Sequence, residues 1–192
     1  MTGQETGSGD RGSPVRPWRR VAGEMAFEHP LFKVECQEIA AGEDRRDVVA
    51  IHTGNWVNVI PIRDDGQVVL IRQWRFGIAA PTLEIPGGVV DPGESPHEAA
   101  QRELLEETGY RAARWTPLGA VHPNPAFMSN ECSMFLAEGL EWVETPRGDG
   151  DEEIDVDSAP LASIPDLIRD GRISHSLVIV AFHLLSLRGG ES

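Results

Sequence analysis

Between residues 32 and 50 apolar positions alternate loosely with polar ones, as in Phe32, Val34 and Cys36, then Val48 and Ala50. Alternation with period two marks a half-buried strand, so two strands joined by the polar turn Ala41-Gly42-Glu43-Asp44 are expected. A denser apolar run over residues 56–62 is followed by Asp65-Gly66 and a second run over 67–75. Asp-Gly between β-branched runs is a hairpin signal. Residues 82–85 predict a further short strand, which Pro86-Gly87-Gly88 should break. Strand-like patterns return at 115–122 and 132–137, and helical patterns close the chain at 164–170 and 175–187. The best-punctuated helix opens at Ser95. Ser95 is suited to the N-cap, Pro96 to the first helical position and Glu98 to the reciprocal capping position, with Gly109 as the stop. Strands first, helices interspersed and no repeated strand–helix–strand unit predict an α+β fold with a mixed sheet.

Composition narrows the function. A chain of 192 residues with 40% hydrophobic and 25% charged residues has the makings of one domain with some extra length. Acidic residues outnumber basic ones 31 to 17, for a formal charge of -14. Such a field argues against nucleic acid or an anionic membrane as partner, and a phosphate-bearing substrate would need cations to offset it. No run approaches the ~18 apolar residues of a membrane span. Residues 1–16 are rich in Gly, Ser, Thr and charge, which predicts a disordered leader. Residues 17–54 are then expected to form N-terminal strands and 55–192 the main domain. Cys36 and Cys132 are too few for a disulfide framework. They are expected to be buried small apolar residues in a reducing cytoplasm.

Chemistry concentrates on the capped helix. Glu103, Glu106 and Glu107 stand at i, i+3 and i+4, three carboxylates within one turn. By itself an acidic pair on a helix is more often a solvated face. Hard divalent cations would relieve the repulsion, since Mg²⁺ or Mn²⁺ takes oxygen ligands and shares them with phosphates.

The surroundings favour the second reading. From Gly88 the chain runs five residues to Glu94 and seven more to Arg102-Glu103-Leu104-Leu105-Glu106-Glu107-Thr108-Gly109-Tyr110. This resembles the Nudix box, GX5EX7REUXEEXGU, at every fixed polar and glycine position, with Tyr110 replacing the final aliphatic residue. The resemblance implies a Nudix α/β/α sandwich with a mixed sheet, here preceded by N-terminal strands. It also implies Mg²⁺ (or Mn²⁺) held by Glu103, Glu106 and Glu107, with the Gly87 carbonyl in the same shell. Glu94 and Arg102 would support the cluster, Arg102 by bonding to a box carboxylate. Gly87 and Gly88 are expected to let the loop turn tightly.

The flanks bear on substrate. Gln73-Trp74-Arg75 followed by Glu84-Ile85-Pro86-Gly87-Gly88 resembles the QYR…E-x-P-x-G pattern of the ADP-ribose and nucleoside-diphosphate-sugar pyrophosphatase branch. Arg75 would offer a fork to the diphosphate, and Glu84 would help hold a ligand or metal-bound water. Pro125, sixteen residues after Gly109, also resembles that branch, where its loop borders nucleotide or sugar. Trp18, Trp56 and Trp74 are candidates for stacking on a base, although each is more often a core or interface residue. The acidic loop 145–153 has Gly148 and Gly150 as hinges. Resemblance assigns Glu152 as its catalytic, metal-binding carboxylate, with Glu153 as fallback and Glu107 sharing the catalytic role. Strand alternation would put Glu152 and Ile154 on one face and turn Glu153 and Asp155 to solvent. The histidines follow no zinc spacing and are expected to be structural or exposed, except that His122 lies beside Pro123 near the pocket loop.

Together these features predict hydrolysis of the diphosphate of a nucleoside diphosphate sugar. ADP-ribose or a hexose nucleotide such as GDP-mannose would yield a nucleoside monophosphate and a sugar phosphate. The resemblance adds a homodimer using its N-terminal strands. The alternative is a Nudix-fold regulator that binds a nucleotide sugar without cleaving it.

Overall fold

The computed structural model describes residues 15–146 and 153–188. Most of the leader expected over 1–16 and most of the acidic loop, Glu152 included, lie outside the described residues. The chain divides into two compact units at Ile51/His52.

The first unit is a three-stranded sheet in the order β1 (Arg19–Glu28), β2 (Phe32–Ala41), β3 (Asp44–Thr53). β1 and β2 pair antiparallel, and Gly42 turns the chain between β2 and β3 at φ +66°. Glu35 is buried and paired with Arg20, and its other oxygen accepts from Gln37 at 2.6 Å. Its strand neighbour Cys36 therefore points the other way and is exposed, contrary to the burial expected for it. Cys132 is buried as expected, and burial pushes its thiol up to about 12.

The second unit is built on a mixed sheet whose main path runs β10 (Ile154–Pro160), β5 (Gln67–Arg75), β4 (Trp56–Ile62), β9 (Cys132–Trp142), β8 (Tyr110–Val121). β4 and β9 are parallel, whereas β10–β5, β4–β5 and β8–β9 pair antiparallel. The β4–β5 hairpin closes where expected, with Gly66 at φ +77° and its N–H donating to the Arg63 carbonyl at 2.9 Å. β6 (Ala80–Glu84) pairs with β5. Residues 86–88 do not simply break the chain as expected: Gly87–Val89 form a short strand, β7, antiparallel to β4. β8 starts earlier than its apolar pattern suggested. Gly109, in the left-handed region at φ +74°, reverses the chain directly into the sheet.

Alternation along β4 and β9 separates two cores. Val57, Val59, Phe135 and Ala137 pack with Ala99, Ala100 and Leu104 of α1 (Pro96–Thr108). Ile60, Cys132 and Met134 pack instead with residues of α2 (Ile164–Arg169) and α3 (Ser176–Arg188), including Leu167, Val178 and Phe182. One sheet between α1 and the α2–α3 pair is the expected sandwich. No helix among the described residues is long and apolar enough to cross a membrane.

Candidate active site

α1 begins as its sequence dictates. The Ser95 hydroxyl accepts from the Glu98 N–H at 3.2 Å, and the Glu98 carboxylate accepts from the Ser95 N–H at 2.8 Å. This fixes the rotation of the helix. Ala99, Ala100, Glu103, Leu104, Glu107 and Thr108 form its buried stripe, so two of the three clustered glutamates face inward. Glu103 is 6% and Glu107 4% exposed. Burying a carboxylate is costly unless its lone pairs find donors, which a solvated acidic face would never require.

Those donors are present. The Gly87 N–H donates to Glu107 Oε2 at 2.8 Å. Arg102 donates through Nη1 to Glu103 Oε1 at 2.7 Å and to Glu106 Oε2 at 3.2 Å. Its Nε and Nη2 bond Glu94 at 3.1 and 3.0 Å, and Nη2 also reaches the Val89 carbonyl at 2.9 Å. Hydrogen bonds to Glu94 lead the effects holding the guanidinium in its charged form, with Glu103 and Glu106 adding to them against partial burial. The Arg102 bond in turn holds Glu94 below the usual carboxylate range.

Close approach, rather than backbone conformation, explains the two glycines. Neither Gly87 nor Gly88 has a positive φ, which corrects the expected tight turn. A Cβ at Gly88 would overlap the Glu103 carboxylate, and one at Gly87 would overlap the Val57 carbonyl. The glycine edge of β7 thus leaves a cradle of oxygen atoms around the inward glutamates. All-oxygen donors are the chemistry a hard divalent cation requires. Among the described residues no three His, Cys, Asp or Glu side chains already converge as a metal-holding group. Arg102 supplies the compensating charge to the cluster. In donor type, Glu103, Glu106 and Glu107 suit a divalent ion.

A second constellation sits on the β5–β6 hairpin. Its register pairs Gln73 with Thr82 and Ile71 with Glu84, so Gln73, Arg75, Thr82 and Glu84 share one face. Arg75 grips Glu84 at two points, Nε to Oε1 at 2.8 Å and Nη2 to Oε2 at 2.7 Å. The Thr82 hydroxyl donates to Glu84 Oε1 at 2.5 Å. Burial alone would raise the Glu84 pKa. The hydrogen bonds from Arg75 and Thr82 and the Arg75 charge outweigh it, holding the carboxyl below its ordinary value.

This face opens on a cavity of about 740 Å³ lined by Gln73 to Ile78, Thr82, Glu153, Ser174 and His175. Trp74 is half exposed in its wall, as a stacking candidate should be. Glu153 is exposed and borders the same cavity. Ile154 pairs with Gln73 as the first residue of β10, so the strand alternation assumed for Glu153 begins only after it.

Other expected residues lie elsewhere. Trp18 belongs to the first unit, with the Arg46 guanidinium carbon 4.5 Å from its ring centre. Trp56 packs against the core beneath α3. Pro125 sits in a turn closed by the Met128 N–H on the Asn124 carbonyl at 2.9 Å, and neither it nor His122 lines the cavity. His122 instead contacts the Asn130 carbonyl at 3.3 Å. Thr82 and His175 were missed. Thr82 was legible, because period two places it on the face of Glu84. His175 was not, since nothing in the spacing brings the start of α3 to the β5–β6 hairpin.

Comparison with known proteins places this geometry. Residues 53–179 match the family model for the NUDIX domain. The chain is 31% identical over 173 residues to the ADP-ribose pyrophosphatase of Bacillus subtilis (strain 168), covering 88% of this chain and 93% of that protein. It is equally 31% identical over 173 residues to the methanol dehydrogenase activator of Bacillus methanolicus, with the same coverage of both. Among solved structures, the crystal structure of an ADP compounds hydrolase superposes with a TM-score of 0.81 at 27% identity. That match spans 94% of this chain and 99% of the other. The box helix, its glycine cradle and these likenesses agree, and the chain belongs to the Nudix family.

Proposed function

We propose that the protein is a Nudix pyrophosphatase that hydrolyses the diphosphate of a nucleoside diphosphate sugar to a nucleoside monophosphate and a sugar phosphate. ADP-ribose and hexose nucleotides such as GDP-mannose are the substrates of first choice. The observation that carries this reading is the burial of Glu103 and Glu107 on the box helix, with amide and guanidinium donors aimed at them. In this reading Glu103, Glu106 and Glu107, with the Gly87 carbonyl, hold Mg²⁺ or Mn²⁺. When bound, the ion supplies charge neutralisation for the diphosphate. Arg102 keeps the carboxylates oriented, and Glu94 keeps Arg102 oriented. Arg75, aligned by Glu84, meets the diphosphate with its guanidinium already placed. Trp74 offers a flat face to the base or sugar. Glu152 or Glu153 orients the attacking water, and Glu153 already borders the cavity.

The reading extends to a homodimer in a reducing cytoplasm, without nucleic acid or membrane partners. β1 is exposed along its whole length and carries Val21, Met25 and Phe27, a surface suited to a second copy. The test is a panel of nucleotide sugars assayed with Mg²⁺ and with Mn²⁺, with product identification. Nucleoside monophosphate and sugar phosphate in equal amounts are expected. Release of inorganic phosphate or of free sugar would refute the cleavage position.

A second reading, a nucleotide-sugar-binding regulator, is favoured by the likeness to the methanol dehydrogenase activator. Saturable binding of a nucleotide sugar without turnover under either metal would select it.

A further inference from the structure

His175 contributes polarity to the cavity wall that no other described group uses. It stands immediately before α3, and its carbonyl accepts from the Ile179 N–H at 3.1 Å, which ties its backbone to the helix. His175 lines the cavity with Arg75, Thr82 and Trp74. Nδ1 is buried without a hydrogen-bond partner among the described residues. Buried polar atoms are nearly always paired, so an unpaired one in a cavity wall points to a ligand.

The neighbours narrow the ligand's chemistry. Glu84 already accepts three hydrogen bonds, two from Arg75 and one from Thr82. Neither half of that ion pair needs the imidazole. Burial keeps the ring neutral, with Arg75 acting the same way and Glu84 opposing it. A neutral imidazole has one donor and one acceptor nitrogen. Whichever nitrogen meets the ligand, a hydroxyl can answer it by donating or accepting, whereas a phosphate can only accept. Arg75 is the group suited to phosphate. Beside the polar Gln73, Ser174 and Glu153, the wall carries Trp74, Phe76 and Ile78, against which the C–H face of a sugar ring can pack. At about 740 Å³ the cavity is of ligand size.

We propose that His175 is a specificity-determining residue that hydrogen-bonds a hydroxyl on the sugar half of the substrate, in the cavity walled by Trp74 and Phe76. The assignment rests on the nucleotide-sugar reading above and names the residue that selects the sugar.

The test compares wild type with His175→Phe, which keeps a planar ring without nitrogens, and His175→Gln, which restores a polar end. Melting temperatures verify folding. Where the Phe variant is destabilised, His175→Asn, with a polar atom near the Nδ1 position, is run beside the Gln variant. Each protein is assayed on the best nucleotide sugar, on analogues lacking one sugar hydroxyl, and with the matching nucleoside monophosphate as competitive inhibitor. KM should rise about tenfold in the Phe variant, the scale of one hydrogen bond, with kcat within about threefold. One deoxy analogue should lose about tenfold in kcat/KM on wild type and nothing more on the variant. Inhibition by the nucleoside monophosphate should be unchanged, and the Gln variant should recover part of the loss.

An unchanged KM would overturn the proposal, and so would losses that simply add for every deoxy analogue. Weakened inhibition by the nucleoside monophosphate would place His175 on the nucleotide half and overturn the sugar assignment. If wild type cleaves no nucleotide sugar, the functional reading fails separately. Calorimetric titration with ribose 5-phosphate and mannose 1-phosphate then decides the His175 proposal. Binding that weakens in the Phe variant sustains it, and binding that is absent or indifferent to His175 overturns it.

Discussion

Arg75 and Glu84 meet across the β5–β6 hairpin in a two-point ion pair in which the carboxylate side chain is 3% exposed and the guanidinium side chain 39%. The asymmetry assigns their roles. Glu84 is locked inside, while Arg75 reaches from it toward the cavity. Arg75→Ala should raise KM for the nucleotide sugar more than tenfold while kcat falls by a smaller factor, because a group on the diphosphate acts in ground and transition states alike. The same variant should melt lower, since among the described residues Glu84 keeps only the Thr82 hydroxyl of its direct donors, a loss of about 1–3 kcal/mol. Adding Glu84→Gln should recover part of the stability without restoring KM. Steady-state kinetics and calorimetry on the three proteins check both halves.

The pH dependence of stability follows from the same carboxyl. Its folded pKa lies below the ordinary value of 4.5. Its contribution is therefore complete above that value and drains away as pH falls through the folded pKa. Melting temperatures measured from pH 7 downward should show an acid-side decline below about pH 4.5 that is shallower in Glu84→Gln. Parallel curves for the two proteins would remove Glu84 from the acid response.

On the box helix, Glu106→Gln and Glu107→Gln should each lower kcat by about 10²-fold or more, the scale of losing a charge-stabilising group. Melting temperatures in chelator should hold or rise, because Gln keeps an acceptor for the Gly87 N–H and relieves carboxylate repulsion. Turnover near wild type in either variant would exclude that side chain from the reaction.

Gly87→Ala and Gly88→Ala should fail in different ways. At Gly88 the added methyl meets the carboxylate end of Glu103, a side-chain end and not backbone. Activity should fall by about tenfold or more, with the melting temperature nearly unchanged. At Gly87 it meets the Val57 backbone carbonyl, which cannot yield without disturbing β4, so stability should fall first. Thermal melts and kcat measured together separate the two.

For the attacking water, Glu153→Gln and Glu152→Gln are to be compared on the best substrate. If the carboxylate bordering the cavity is the one that acts, Glu153→Gln should lose turnover while retaining substrate affinity. A loss confined to Glu152→Gln would return the role to its neighbour, and full activity in both would remove the loop from catalysis.

Much of this molecule is legible in its sequence. The Ser95–Glu98 capping box, the Asp65-Gly66 hairpin and the i, i+3, i+4 glutamates are local features, and local rules govern them. What escaped depends on distant pairing. Strand β7 exists because Gly87 and Gly88 find β4, a partnership that neither glycine signals. Exposure of Cys36 follows from Glu35 pairing with Arg20 on the adjacent strand. Glu153 reaches the cavity because β10 begins only at Ile154, opposite Gln73. His175 required a helix start and a hairpin from distant parts of the chain to be brought together. Position in the chain records none of these long-range choices.

The hairpin tip of Phe76, Gly77 and Ile78 and the start of α3 line the cavity, whereas the clustered carboxylates belong to a helix anchored in a different core. Phe76 and Ile78 are 89% and 63% exposed, so little packing depends on them. Substitutions there can accumulate without disturbing Val57, Val59 or Leu104, on which the box helix rests. On the proposed reading, such a protein can exchange one sugar for another over evolutionary time while the box helix stays still. Directed evolution toward a new nucleotide sugar should begin at those few wall positions and leave the helix alone.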